Sequence, residues 1–215
     1  MIPFYGSRHP ELFAIERAAM DRPGHVTDAL RRVFAGTDRL LDIGAGDGFT
    51  ARALSTDARR VVALEPDGGM IDAAAALPWA RGVAESLPFA TSSFGGAYAT
   101  WACFFPSFHA IDGAVAEVER VVRPGGPIAL VNNLGDDEFT ALAPRDISEP
   151  VQPFLDLGFS LDVIKTRFEF ESLHQAQELL GFYFGDAGRE GARLSLGYRV
   201  GLFHKRSPGA GAEVP

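Results

Sequence analysis

The chain has one cysteine, Cys103, among 215 residues, so no internal disulfide braces it and a disulfide-stapled fold is excluded. It is short of positive charge. Twenty Lys and Arg stand against 28 Asp and Glu, and the net charge of −8 has the wrong sign for a surface that displaces counterions from nucleic acid. No run reaches the roughly 18 apolar residues of a membrane-spanning helix. The opening Met1-Ile2-Pro3-Phe4-Tyr5 lacks the basic region and apolar stretch of a secretory signal. These absences set three expectations: a cytoplasmic protein, no nucleic-acid partner and no membrane partner. With 47% hydrophobic and 22% charged residues the chain can bury a core. At about 150 residues per domain, its length predicts one unit with modest additions.

Apolar residues recur at helical spacing at Leu12, Ile15 and Ala19, then at Val26, Leu30 and Val33. Pro23-Gly24 separates the two groups, which predicts two short helices ahead of the first strand. Residues 39–43 form an apolar run ending at Gly44, and the spacing turns helical over 49–54. A second strand over 60–64 and a helix over 69–76 follow. Residues 78–83 read as a weaker third strand, 96–100 as a fourth, 111–122 as a helix stopped by Pro124-Gly125-Gly126, and 128–131 as a buried strand. Such alternation predicts an α/β fold, a mostly parallel sheet with helices on both faces.

Beyond Asn133 the rhythm changes. Residues 136–142 and 147–157 read as short helices, 161–170 and 194–204 as strands, and 172–184 as a helix, which predicts an antiparallel C-terminal edge. A single domain is expected over 1–206: a helical N-terminal segment (1–36), a ligand-binding core (38–132) and the rest of the sheet (133–206). Residues 207–215 are expected to fray.

The densest chemical signal is Asp42-Ile43-Gly44-Ala45-Gly46-Asp47-Gly48, set where a strand turns into a helix, the place at which open parallel sheets bind nucleotides. Glycine lets the backbone turn sharply there and approach a ligand. A dinucleotide fingerprint would need glycine at position 49, where Phe49 stands; the spacing is G-x-G-x-G. Asp42 and Asp47 disfavour a pyrophosphate and favour a ligand with a positive centre, such as an adenosyl sulfonium.

The run 41–48 resembles motif I of the class I S-adenosylmethionine-dependent methyltransferases of small-molecule type. Ala63-Leu64-Glu65-Pro66-Asp67 resembles their acidic second motif. Residues 82–89 are similar to the adenine-side loop, and 119–126 to the turn into the fifth strand. The likeness runs from about residue 38 to 132, with four motifs in the family's order. It implies a Rossmann-like, doubly wound, mostly parallel seven-stranded sheet, with S-adenosylmethionine as cofactor and S-adenosylhomocysteine as its product. The cofactor site it implies comprises Asp42, Gly44, Ala45, Gly46, Gly48, Glu65, Pro66, Met70, Ala84, Glu85, Leu87 and Thr100. Glu65, an acid ending the second strand, would accept from ribose hydroxyls. Ala84 would offer backbone groups to the adenine edge, with Met70 and Leu87 on its faces. The chain departs from the family where many relatives carry Asp at the position of Val83, an acid at Gly95, and paired histidines at Phe104-Phe105.

Methyl transfer is an in-line displacement whose chief demand is alignment, so neither a metal nor a covalent nucleophile is expected. His109, in the loop after the fourth strand, is the candidate base, and Asn133, with Asn132 beside it, the candidate orienting group. Trp101, Phe104 and Phe105, with Tyr5, are the candidate walls of an acceptor pocket closed by residues 4–25 as a lid. Cys103 reads as a core thiol. No Asn-Pro-Pro-Tyr-like segment follows the fourth strand, which again disfavours nucleic acid. The expected partner is a small, partly apolar molecule methylated on a heteroatom. Two other readings stay open: a non-catalytic S-adenosylmethionine-binding or interaction protein, and a nicotinamide-dependent oxidoreductase, which fails on glycine spacing.

Overall fold

Leu40, Leu41, Asp42 and Ile43 are all buried, as are Val61 to Leu64 and Gly96 to Thr100; strands with no wet face must be covered on both sides. The computed structural model, which describes residues 5–72 and 74–208 but not the side chain of Tyr5, shows how. Its strands are β1 (Arg39–Ile43), β2 (Arg60–Leu64), β3 (Trp79–Ala80), β4 (Gly96–Thr100), β5 (Pro127–Asn133), β6 (Ser160–Glu169) and β7 (Ser195–Arg206). Its helices are α1 (Tyr5–Arg8), α2 (Pro10–Ala19), α3 (His25–Val33), α4 (Phe49–Leu54), α5 (Asp112–Val121), α6 (Gln152–Asp156) and α7 (Leu173–Glu190).

The strands form one sheet in the order β3-β2-β1-β4-β5-β7-β6, parallel from β3 to β5 and antiparallel at β7 and β6. Alternate side chains feed two cores. Leu40, Val61, Tyr98 and Ala129 pack with Leu30 of α3, Leu54 of α4 and Leu179 of α7. Leu41, Val62, Ala97 and Ile128 pack with Val115 and Val118 of α5 and Phe154 of α6. The chain winds outward from β1 through β2 to β3, then returns to β4 on the other flank of β1. That reversal opens a crevice at the carboxyl ends of β1 and β4. No described helix is long and apolar enough to cross a membrane.

Several local expectations are corrected. The segment 69–76 is a series of turns rather than a helix. Asp67 Oδ1 accepts from the Gly69 amide at 2.9 Å and Asp72 Oδ1 from the Ala74 amide at 2.9 Å, side-chain bonds that compete with a helix beside the poor helix formers Gly68 and Gly69. The third strand shrinks to two residues. Among the described residues three helices, not two, precede β1. Only a 3₁₀ turn at Thr140–Leu142 forms within 136–142, after positive φ at Gly135 and Asp136. The helix expected from 147 starts at Gln152, because Pro150 restrains Glu149 from helical geometry, whereas Pro153 sits in the first turn, where no amide is needed. α7 runs on to Glu190 past a break at Gly185. Ser207 does not fray: its amide donates to Gly126 O, its carbonyl accepts from the Gly125 amide, both at 2.8 Å, and it is buried. Residues 209–215 lie outside the described residues.

Candidate functional site

β1 ends at Ile43, and the chain turns through positive φ at Gly44, Gly46 and Gly48 (71°, 58° and 79°) before α4 begins. Most amides of this turn are already engaged. Those of Gly44 and Ala45 donate to Leu64 O of β2, that of Gly46 to Glu65 Oε2, that of Gly48 to Ala45 O, and that of Phe49 to Asp47 Oδ1. A phosphate-binding loop points free amides at its ligand. This one has engaged most of its own and presents carboxylates.

Asp42 is 1% exposed, inside β1; its Oδ2 accepts from the Tyr98 hydroxyl at 3.0 Å and its Oδ1 has no hydrogen-bond partner. Burial raises its carboxyl pKa to about 7, with Glu65 and Asp47 adding to the rise while the Tyr98 bond and the Arg17 charge oppose it. Glu65, just past β2, is buried and bridges the turn: Oε2 takes the Gly46 amide and Oε1 the Asp67 amide, at 2.9 and 3.0 Å. Burial raises its pKa too, against those two bonds.

The loop 83–89 is pinned to α5 by a pair that reading the sequence missed. Glu117 Oε2 accepts from the Leu87 amide at 2.9 Å, while Arg120, paired with Glu117 at 2.6 Å, donates to Leu87 O and Phe89 O. The i,i+3 spacing of Glu117 and Arg120 was visible; what they hold was not. Ala84 and Leu87 are buried, Glu85 is exposed, and Met70 and Pro66 are half-buried. Met70 nonetheless stands over the turn, with its Cε 3.6 Å from where a Cβ on Gly46 would lie.

The N-terminal segment covers this end of the sheet, the place expected of a lid. Ser7 Oγ donates to Asp67 Oδ2 at 2.5 Å, and Phe13 lies 3.5 Å from the same Cβ position on Gly46. The segment is anchored by the Tyr183 hydroxyl, which donates to Glu16 at 2.7 Å. Burial raises the Glu16 pKa.

The expected acceptor residues separate. Phe104, 1% exposed, belongs to the core beside α5 and α6, and Phe105 is also buried; neither is the wall of an open pocket. Phe104→Ala should therefore cost about 3–5 kcal/mol of stability and leave cofactor affinity nearly unchanged, which denaturant unfolding and ligand titration of the variant will check. Tyr5 falls in α1, but its side chain lies outside the described residues. Asn133 does not face a ligand with its carbonyl, because its Oδ1 accepts from the Tyr198 hydroxyl, which in turn accepts from the Trp101 indole at 2.9 Å. Asn132 donates to Phe104 O at 2.6 Å. His109 is exposed, its Nε2 donating to Cys103 O at 2.9 Å, and no carboxylate activates it among the described contacts. Burial pushes the Cys103 thiol well up, as suits a core thiol.

Trp101, by contrast, follows buried Thr100 at the end of β4 with a φ of 49° and lines a cavity of about 280 Å³. The opposite wall comes from α2 and α3, including Arg17, Met20 and Val26, and Phe49 and Thr50 of α4 complete it. Arg17 and Tyr198, which shape this cavity, carried no sequence signal. No described group of acids, histidines and cysteine could hold a metal ion.

Residues 41–130 match the family described as methyltransferase domain. The bifunctional biotin biosynthesis protein BioHC of Cellvibrio japonicus is 39% identical over 106 residues, which is 45% of this chain and 20% of that protein. An uncharacterized methyltransferase of Mycobacterium bovis is 35% identical over 123 residues, 54% of this chain and 49% of its own length. This chain thus spans half or less of the curated relatives it matches best among these. The crystal structure of the YcgJ protein from Bacillus subtilis shares the fold, with a TM-score of 0.59 at 22% identity, covering 85% of this chain and 98% of that one. The glycine turn of β1 and the acid after β2 lie within residues 41–130, the segment in which this chain is similar to methyltransferase domains.

Proposed function

We propose that the protein transfers a methyl group from S-adenosylmethionine to a heteroatom of a small, partly apolar molecule, mainly by holding the two in alignment. One observation carries this reading above others: beside the turn after β1 stands a buried carboxylate, Asp42, with an unpartnered oxygen. A pyrophosphate would be repelled by that carboxylate once ionised, whereas a cationic ligand completes Asp42.

The other residues fit the same cofactor. Each oxygen of Glu65 has accepted one bond and keeps a further lone pair for a ribose hydroxyl. Leu87 and Phe89 are held by the Glu117–Arg120 pair, so this side of the loop is set before ligand arrives. S-adenosylmethionine, when bound, supplies a methyl group on a sulfonium sulfur. The protein's part is to orient and to exclude water: the N-terminal segment covers the turn, and the Tyr198–Asn133 pair fixes the Trp101 indole at the acceptor side. With His109 on the surface, the site does its work by positioning rather than by proton abstraction. The same lack of a base favours, as the second reading, a non-catalytic S-adenosylmethionine-binding protein.

Calorimetric titration should show S-adenosylmethionine and S-adenosylhomocysteine binding and no binding of nicotinamide dinucleotides; the reverse order overturns the proposal. Mass-spectrometric detection of methylated products from a small-molecule panel separates the enzyme from the non-catalytic binder. The partner we propose is a small molecule met in the cytoplasm, with neither nucleic acid nor membrane, in keeping with the net charge of −8.

A further inference from the structure

The cavity between α2–α3 and the end of β4 contains a positive charge that the protein leaves without a direct partner. The Arg17 guanidinium carbon lies 4.9 Å from the centre of the Phe13 ring and 5.7 Å from that of Phe49, and its Nε is buried with no acceptor. The carboxylates around it have other donors. Asp21, on the same wall, accepts from the His25 and Val26 amides and from Thr166 Oγ1, at 3.0, 2.8 and 2.6 Å. Glu16 accepts from Tyr183, and Asp42 from Tyr98. Both of these acids feel the Arg17 charge, but neither stands within ion-pair distance of it among the described contacts. Arg22, a second cation on the wall, is exposed.

The rest of the lining is apolar or hydroxylic, with Met20, Trp101 and Thr100 prominent. Thr100 closes β4 and Phe49 directly follows the glycine turn, so the cavity shares a wall with the cofactor side. Its volume of about 280 Å³ lies just under the roughly 300–1,000 Å³ of pockets for drug-sized ligands, so the occupant must be small. A planar guanidinium packed near two aromatic rings has the fork geometry for a two-point grip on a carboxylate.

We propose that this cavity is the acceptor site and that it takes a small carboxylic acid, the carboxylate held by Arg17 and the apolar body against Trp101 and Met20. The proposal rests on the glycine turn being the cofactor site, and it adds the chemical class of the acceptor. The test uses the full chain loaded with S-adenosylhomocysteine, at about pH 8.5, above the Asp42 pKa of about 7 in the parent. Benzoate and its neutral isostere benzamide serve as probes, measured by calorimetry. Benzoate should bind about tenfold tighter than benzamide or better, Arg17→Met should erase the preference, and Arg17→Lys should keep part of it. S-adenosylhomocysteine affinity should change less than about threefold in both variants. Equal binding of the two probes, binding of neither, or a preference that survives Arg17→Met overturns the proposal. So does a loss of about tenfold or more in S-adenosylhomocysteine affinity in Arg17→Met, which would give the guanidinium to the carboxylate of the cofactor itself. Should Arg17→Met not fold, the parent and Arg17→Lys carry the comparison. A parent that fails to bind S-adenosylhomocysteine sinks the methyltransferase reading, a result distinct from a loaded protein that ignores benzoate.

Discussion

Gly46→Val should bind S-adenosylmethionine at least about 100-fold more weakly than the parent, a change of about 2.7 kcal/mol, while remaining folded. Gly46 holds a φ of 58°, where a branched side chain is strained by about 1–2 kcal/mol or more. Relaxing that strain moves its amide off Glu65, and Glu65 is the residue assigned to the ribose. A single Cβ at this position would stand 3.5 Å from Phe13 and 3.6 Å from Met70, ordinary contacts, so Gly46→Ala should carry the backbone strain without crowding and lose part of the affinity, less than Gly46→Val. The difference between the variants reports what the branched side chain adds to the strain both share. A folded Gly46→Val protein with the parent's affinity in calorimetry would remove the glycine turn from the cofactor site.

Asp42→Asn should change both the pH dependence of stability and that of binding. In the folded chain the Asp42 carboxyl keeps its proton up to about pH 7, whereas unfolded it releases it near the ordinary value of about 3.9. Between those two values the folded state binds more protons than the unfolded one. This group therefore lowers stability as pH rises, by about 1.4 kcal/mol per unit, and has no further effect above about 7. The variant lacks that term. Relative to the parent it should gain about 2–3 kcal/mol between about pH 5 and 8, read from denaturant midpoints at the two pH values. Binding should move the opposite way. A cationic ligand selects ionised Asp42, so the parent's affinity should fall about tenfold per unit below pH 7, and the variant's should be weaker and flat. Parallel stability curves for the two proteins would show that Asp42 is not a buried, proton-holding acid.

The sequence by itself determined the strands that carry the site. Residues 39–43, 60–64 and 96–100 were legible to the residue, because strands covered on both faces are continuous apolar runs bounded by glycine, proline or acid. The glycine turn itself was legible for a related reason, because backbone conformation is a local property, whereas the bond from Gly46 to Glu65 joins residues nineteen apart. Short elements outside that core were misread where a competing local bond won. In 69–76, side-chain bonds from Asp67 and Asp72 displaced a helix that apolar spacing alone favoured.

Only the tertiary structure decided what each polar or aromatic side chain faces. Phe104 and Trp101 stand three residues apart in one aromatic run, yet one is core and the other lines a cavity, because the chain takes positive φ at Trp101 and Cys103 between them. Asn133 looked free to hold a ligand until β7, more than sixty residues later, brought Tyr198 to its carbonyl. Arg17 is an unremarkable member of α2 until the fold seats it between two rings with its Nε buried and unpaired. Burial, and with it the worth of a charge or a hydrogen bond, is a sum over residues distant in sequence. A local pattern names the strand and the turn; the packing of distant segments decides which side chains are left with something to bind.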